Sequence, residues 1–163
     1  RDRYIDIIAR IKSARRPIAV STDLIVGFPG ESESDFEDTL SLLDEVQYES
    51  IFSFKYSPRP NTAAFSLRDD VPDDEKGRRL AVLQEKQKAI QYRINESYLG
   101  RRLEVLAERK ARSRVRLAGR TSNNKIVNFD GPEELIGNFV EVEITGFSPN
   151  SLKGKISAET TSS

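Results

Sequence analysis

The chain has 163 residues, 37% of them apolar and 32% charged, and its 26 basic side chains balance 26 acidic ones. It contains no Cys, His, Met or Trp, which excludes disulfides, thiolate catalysis and iron–sulfur ligation by its own residues and removes the commonest metal ligand and general base. No run approaches the length of a membrane span and no signal-peptide pattern is visible, so the composition describes a core-forming chain of one medium domain, or part of one plus a small one.

The balance of charge is uneven along the chain. Residues 1–98 carry 15 Lys/Arg against 18 Asp/Glu, and residues 99–163 carry 11 against 8, an asymmetry that points to two functions on one chain. The sequence starts at Arg1 without a Met and is soon in a helical pattern. It is therefore read as part of a longer protein, with any cysteine chemistry expected upstream.

Residues 2–15 place Tyr4, Ile7, Ile8 and Ile11 on one helical face, and Arg16-Pro17 is expected to end that helix. Ala19 to Val26 is a nearly continuous apolar run rich in Val and Ile, the signature of a strand covered on both faces in a parallel sheet. Gly27-Phe28-Pro29-Gly30 stops it and turns the backbone. A helix over about 33–46 follows. Ser32-x-x-Asp35 and Ser34-x-x-Glu37 both fit an N-cap, the second as a full capping box. Ser50 to Tyr56 reads as a second strand. Helix, strand, helix, strand is the rhythm of βαβ units, and two strands imply that more precede Arg1.

Asp23 is the oddity of the first strand. A buried, unpaired carboxylate is costly, so it requires a donor: a neighbouring Arg, a backbone amide or a sugar hydroxyl. The loop Ser57-Pro58-Arg59-Pro60-Asn61-Thr62 follows the second strand directly. It presents Arg59 either as a solvated side chain or as a rigidly held grip for a carboxylate or phosphate at the ligand-binding end of the strands. A long helix starts at Val71-Pro72-Asp73-Asp74-Glu75 and carries one stripe, Leu80, Leu83, Gln87, Ile90, Ile94 and Tyr98, with Gly100 as its stop. Its basic side chains Arg78, Arg79, Lys86 and Arg93 are read as solvated.

From Arg101 the helical period vanishes. Candidate strands at 103–107, 115–119, 125–129, 139–144 and 152–156, separated by Asn123-Asn124, Asp130-Gly131-Pro132 and Pro149-Asn150-Ser151, predict a small five-stranded antiparallel barrel of oligonucleotide-binding type. Ala158 to Ser163 is polar and expected to fray. Nine basic residues run from Arg101 to Lys125, opposed there only by Glu104 and Glu108, with acids displaced to, among others, Glu133, Glu134, Glu141 and Glu143. A hairpin tip at 109–114, with Asn123, Asn124 and Asn128 nearby, is a basic strip with amides of the kind RNA binding uses. Phe129 is read as core.

Three blocks carry a resemblance: Ser21-Thr22-Asp23-Leu24-Ile25-Val26-Gly27-Phe28-Pro29-Gly30-Glu31, then Tyr56-Ser57-Pro58-Arg59-Pro60-Asn61-Thr62-Ala63-Ala64, then Gly119-Arg120-Thr121-Ser122-Asn123-Asn124-Lys125-Ile126-Val127-Asn128-Phe129. In this order they resemble the radical-SAM methylthiotransferases, over essentially the whole chain. The third block is most similar to family members that act on isopentenylated adenosine in tRNA. The resemblance implies an α/β part, residues 1–95, that ends a partial TIM-like radical-SAM barrel, and a TRAM domain over 96–163. It implies S-adenosylmethionine and two 4Fe-4S clusters as cofactors, the cluster ligands lying upstream, and predicts no activity for these residues alone. Asp23 would face ribose hydroxyls, Ile25 would cover adenine and Gly27 would complete that motif. Tyr56 and Arg59 would stand at the substrate end. The family's Arg-Pro-Gly-Thr reads Arg59-Pro60-Asn61-Thr62 here, and Asn tolerates the left-handed conformation. Lys110, Arg112, Arg114, Arg116, Arg120, Asn124 and Lys125 would grip the tRNA anticodon arm. The implied reaction is radical 2-methylthiolation at adenine C2 of N6-isopentenyladenosine, with an external electron donor and sulfur source, in the cytoplasm and away from membranes. Two rivals stand beside it: an RNA-binding module without catalysis, and a sister methylthiotransferase acting on threonyl-modified adenosine or a ribosomal protein.

Overall fold

The computed structural model describes residues 1–16, 18–111 and 116–157. The chain divides into two compact units, Arg1–Ile90 and Gln91–Ser163. Pro17, the tip residues Arg112 and Arg114 and the tail from Ala158 lie outside the described residues.

The first unit runs α1 (Asp2–Lys12), β1 (Ser21–Val26), α2 (Glu33–Val46), β2 (Ser50–Lys55), a 3-10 turn (Ala63–Ser66) and most of α3 (Asp73–Glu96). β1 and β2 pair in parallel, with Asp23 opposite Phe52 and Ile25 opposite Phe54, as a strand–helix–strand crossover requires. Helix α1 ends earlier than its pattern, because Ser13 closes it: the Ser13 amide donates to the Ala9 carbonyl at 2.9 Å and its hydroxyl to the Arg10 carbonyl at 2.8 Å. On its apolar face only Ile8 is buried.

The capping box of α2 forms at Ser32 and Asp35, not at Ser34 and Glu37. Ser32 is the last residue with extended backbone. Its amide donates to the Asp35 carboxylate at 2.9 Å while the Asp35 amide donates to the Ser32 hydroxyl at 3.2 Å, which satisfies two donors at the helix start. The Ser32 hydroxyl, which donates to the Asp35 carboxylate at 2.6 Å, and the Ser32 amide hold that carboxyl below its ordinary range. The helix closes without glycine, on Gln47 at φ +51°.

β1 is not covered on both faces. Asp23 and Ile25 share an outward face with Phe52 and Phe54, and those three apolar residues are 53–61% exposed. Among the described residues two strands make the sheet, and the residues buried in this unit, among them Val26, Phe36, Leu43 and Leu83, leave the other face open. Asp23 is therefore exposed rather than buried, and the desolvation cost expected of it does not arise.

Helix α3 also departs from its expectation. Lys76 and Arg79 are buried, at 4% and 5% exposure, so Arg79 is not a solvated cation. Its guanidinium donates to Glu31 Oε1 at 2.7 Å, the Glu31 carbonyl at 3.0 Å and Glu75 Oε1 at 2.8 Å. Arg78 bonds Glu33 and Glu75. The Arg78 hydrogen bond, opposed by partial burial and reinforced by Arg79, holds the Glu75 carboxyl down to about 2 from its ordinary 4.5. A lowered folded-state value means that ionised Glu75 stabilises the fold fully above pH 4.5 and loses that contribution as pH falls through about 2. The stability deficit of Glu75→Gln is accordingly expected to be constant above pH 4.5 and to shrink between pH 4.5 and 2. Parallel denaturant titrations of both proteins check it, and a deficit independent of pH would refute it.

The second unit is a closed barrel of β3 (Arg102–Lys110), β4 (Arg116–Thr121), β5 (Ile126–Asp130), β6 (Phe139–Ser148) and β7 (Ser151–Ile156), in the order β3-β4-β5-β7-β6. It is mixed rather than purely antiparallel, since β5 and β7 run parallel. The β6–β7 hairpin inserts its second strand next to β5, so the chain skips a position and two like-directed strands meet. This is the five-stranded Greek-key arrangement. Val105, Ala107, Leu117, Val127, Phe129, Val140, Val142, Ile144 and Leu152 fill the interior. Phe129 is core, as expected, at 1% exposure. Gly100, at φ +74°, ends the helical run and its amide donates to the Ile144 carbonyl at 2.9 Å.

Candidate functional site

In the first unit the carboxyl ends of β1 and β2 open on a cleft of about 390 Å³. β1 contributes Asp23 and Ile25, β2 and the residues after it contribute Phe54 to Ser57, and the proline loop contributes Arg59 and Thr62. The parallel register explains the grouping: Ile25 and Phe54 are opposite each other, so alternate residues of both strands share the cleft's face. The structure thus brings four residues singled out in the sequence, Asp23, Ile25, Tyr56 and Arg59, to one cleft.

Tyr56 forms a wall of the cleft and is itself fixed. Its ring meets Phe28 edge-on at 5.0 Å, its hydroxyl donates to the Ala64 carbonyl at 2.9 Å, and the Lys76 ammonium lies 5.3 Å from the ring centroid. Lys76 in turn pairs with Asp69 at 2.6 Å, and the Gly30 amide donates to Asp70 at 2.8 Å. These bonds tie both ends of the 57–70 segment to the body of the unit. Within it Asn61 adopts φ +66°, the left-handed conformation expected there, and Thr62 donates to the Arg59 carbonyl at 2.8 Å. The Asp23 carboxylate and the Arg59 guanidinium have no hydrogen bond or ion pair among the described residues, although both line the cleft. The arrangement offers an acceptor and a planar donor on apolar and aromatic walls.

Gly27 does not line this cleft. It makes the turn, at φ +69°, with its amide donating to Glu31 at 3.0 Å, and a Cβ there would lie 2.3 Å from Lys76 Cγ. Its role is close packing against α3. Lys76, Asp69, Phe28 and Phe54 were not singled out in the sequence. Their signals were present: Lys76 and Arg79 extend the stripe of Leu83, Gln87 and Ile90 at steps of three and four, and Phe52 and Phe54 alternate with Ser and Lys.

On the barrel the basic residues divide. Arg120 donates to Asn124 Oδ1 at 2.7 Å and approaches Glu108 at 3.4 Å, while Asn124, at φ +63°, builds the β4–β5 turn. Lys110 pairs with Glu133. Arg116 stands opposite Asp130 in the β4–β5 register. Lys125 is not a surface cation: it is 9% exposed, donates to Asn95 Oδ1 at 2.6 Å and lies 6.0 Å from the Tyr98 ring. Asn95 donates onward to the Ser148 and Pro149 carbonyls, so Lys125 braces the barrel against the end of α3. The acids expected to stand apart return to the basic residues, because β6 lies beside β3 and β7: Glu141 meets Arg102 at 3.7 Å and Glu143 meets Lys155 at 3.6 Å. Among the described residues no group of three or more carboxylates forms a metal-binding cluster, and no helix is long and apolar enough to cross a membrane.

Comparison with known proteins follows the same division. Residues 96–157 match the family described as TRAM domain. The chain is 51% identical over 162 residues to a tRNA-2-methylthio-N(6)-dimethylallyladenosine synthase of Solibacter usitatus, an alignment covering 97% of this chain and 36% of the relative. Proteins of the same name from Koribacter versatilis and Alkalilimnicola ehrlichii are 46% and 51% identical, over 96% and 94% of this chain and 36% and 34% of their own lengths. The chain spans about a third of the length of the curated relatives it matches.

Proposed function

We propose that this chain, which carries a TRAM domain and is a relative of the tRNA methylthiotransferases, supplies the nucleoside-binding cleft and the tRNA-gripping barrel of an enzyme that places a 2-methylthio group on N6-isopentenylated adenosine beside the anticodon. The observation that supports the reading is the cleft itself, where an unpartnered carboxylate and an unpartnered guanidinium stand on apolar walls. Its volume, about 390 Å³, lies in the range of small-molecule and cofactor sites.

The residues suit S-adenosylmethionine. Asp23 accepts hydrogen bonds from the ribose hydroxyls, Ile25 and Phe54 offer apolar surface to adenine, and Arg59 is a fork for a carboxylate. When bound, this cofactor supplies the radical and the methyl group. These side chains bind and orient it, and the tie from Lys76 and Asp69 keeps Tyr56 and the proline loop at the cleft. The two 4Fe-4S clusters belong to residues other than these, since the chain has no cysteine. An electron donor and a sulfur source complete the reaction from outside.

The test is Asp23→Ala in the intact enzyme. Loss of a hydrogen bond to a charged acceptor is worth about 1.5–3 kcal/mol, so S-adenosylmethionine affinity is expected to fall about 10- to 150-fold, with tRNA affinity unchanged. Calorimetric titration of each ligand reads both. Equal cofactor affinity in the two proteins would remove Asp23 from the site and with it the assignment of the cleft.

A further inference from the structure

The strap of residues 57–70, between β2 and α3, is ordered without filling a core. Every residue from Ser57 to Asp70 is exposed except half-buried Ala64, yet the segment is bonded along its length. Pro58 and Pro60 fix two backbone angles. Thr62 donates to the Arg59 carbonyl at 2.8 Å, and the Phe65 and Leu67 amides donate to the Thr62 and Ala64 carbonyls, each at 3.1 Å. The Tyr56 hydroxyl donates to the Ala64 carbonyl, and Asp69 and Asp70 close the far end on Lys76 and the Gly30 amide. Phe65 and Leu67 nevertheless remain 54% and 49% exposed.

Thr62 and Ala64 of this strap line the cleft, and Phe65 is the next residue after them. Phe65 is thus at the cleft's rim, outside the residues that line it. Arg68 follows three residues later, at most about 11 Å along the backbone. Its guanidinium is exposed and has no hydrogen bond or ion pair among the described residues, while the acids beside it, Asp69 and Asp70, are engaged by Lys76 and Gly30. The other border of the cleft differs. The turn after β1 leads into Glu33, Asp35, Glu37 and Asp38, four exposed carboxylates. A polyanion approaching the cleft is repelled there and meets an unpaired cation and a bare ring on the strap.

Resting on the reading that the cleft serves an adenosine in tRNA, we infer that the strap holds the nucleotide next to the one being modified, with its base stacked on Phe65 and its phosphate on Arg68. Covalent connectivity requires a contact of this kind. An adenosine within a polynucleotide brings its neighbours to the rim with it, and of the two borders only the strap suits them. Unpaired loop nucleotides are recognised by stacking on aromatic rings and by arginine. A rim ordered beforehand also loses little conformational entropy on binding. This contact belongs to the first unit and is separate from the barrel.

The experiment uses the intact enzyme and an anticodon stem–loop that carries the target adenosine. Phe65→Ala is expected to weaken stem–loop binding about fivefold or more, as loss of one base stack does. Phe65→Tyr is expected to restore it, with S-adenosylmethionine affinity at the parent value in both variants. Arg68→Ala is expected to reduce the salt slope of binding by about 0.7. A photoreactive thiouridine placed beside the target adenosine is expected to crosslink to the peptide that contains Phe65, and one placed in the stem is not. Equal stem–loop binding by the parent and Phe65→Ala, or a crosslink confined to other segments, overturns the contact and leaves the tRNA reading standing. A fall in cofactor affinity in Phe65→Ala assigns the ring to the cofactor site and overturns the inference as well. If the parent enzyme does not bind the stem–loop, the tRNA reading itself fails and this inference with it.

Discussion

Replacing Gly119 by alanine is expected to destabilise the barrel by about 3 kcal/mol or more, the upper end of what overpacking costs. The reason is a close approach of strands. Gly119 of β4 lies opposite Ala107 of β3 and Val127 of β5, and a Cβ there would sit 2.2 Å from the Leu106 carbonyl oxygen and 2.7 Å from Val105 Cγ1. The first obstacle is backbone in the neighbouring strand, next to the irregularity between Ala107 and Arg109. It cannot turn aside as a side chain would. The strands must separate, and core residues on both sides, Val105 and Leu117, lose contacts. For a unit of this size such a loss lowers the melting temperature by more than about 10 °C. Gly131→Ala is the control. Its new Cβ meets only side-chain tips, Ile156 Cδ1 at 2.9 Å and Leu135 Cδ1 at 3.2 Å, and it is expected to cost far less. Thermal and denaturant unfolding of the two variants check the ranking; equal stability would show that the barrel relaxes without strand separation.

Arg79→Ala is expected to destabilise the first unit by about 3–5 kcal/mol, the cost of removing one partner from a buried ion pair. The arginine side chain is 6% exposed and its partner Glu31 12%. With the guanidinium gone, Glu31 keeps a buried carboxylate whose remaining bond comes from the Gly27 amide. The effect reaches the cleft, since Glu31 and Gly27 form the turn that ends β1. Arg79→Lys is expected to rescue little, because a single ammonium cannot serve Glu31, Glu75 and the Glu31 carbonyl as the planar fork does. Replacing both partners, Arg79→Met with Glu31→Gln, is expected to recover most of the loss. Since the chain has two units, amide hydrogen exchange in β1 and α2 is the measurement that assigns the change to the right one. Unchanged protection there in Arg79→Ala would show that the ion pair adds nothing net.

Local patterns carried much of this. Apolar periodicity located α2 and the stripe of α3, β-branched runs located β1 and β2, and turn residues located all five barrel strands. Asn61 and Gly100 took the left-handed backbone that their positions required. What failed were choices between equivalent local options. Two Ser-x-x-acid patterns lie two residues apart, and which one caps α2 depends on where the chain leaves extended geometry. Arg78 and Arg79 are identical neighbours, and only their angle on α3 relative to Glu31 and Glu33 sends one inward. Lys125 reads as a turn cation, yet Asn95, 30 residues away, claims it.

The sequence by itself determined the elements and the oligonucleotide-binding type of barrel, and it named four of the residues that meet in the cleft, because these follow from periodicity, turn chemistry and three ordered motifs. Tertiary structure alone decided which charges are usable. Whether Arg59 and Asp23 stay unpaired while Arg79 and Lys125 are spent inside depends on partners distant in the chain. A side chain's availability is set by what the fold places within hydrogen-bonding reach of it, and no local pattern encodes that distance.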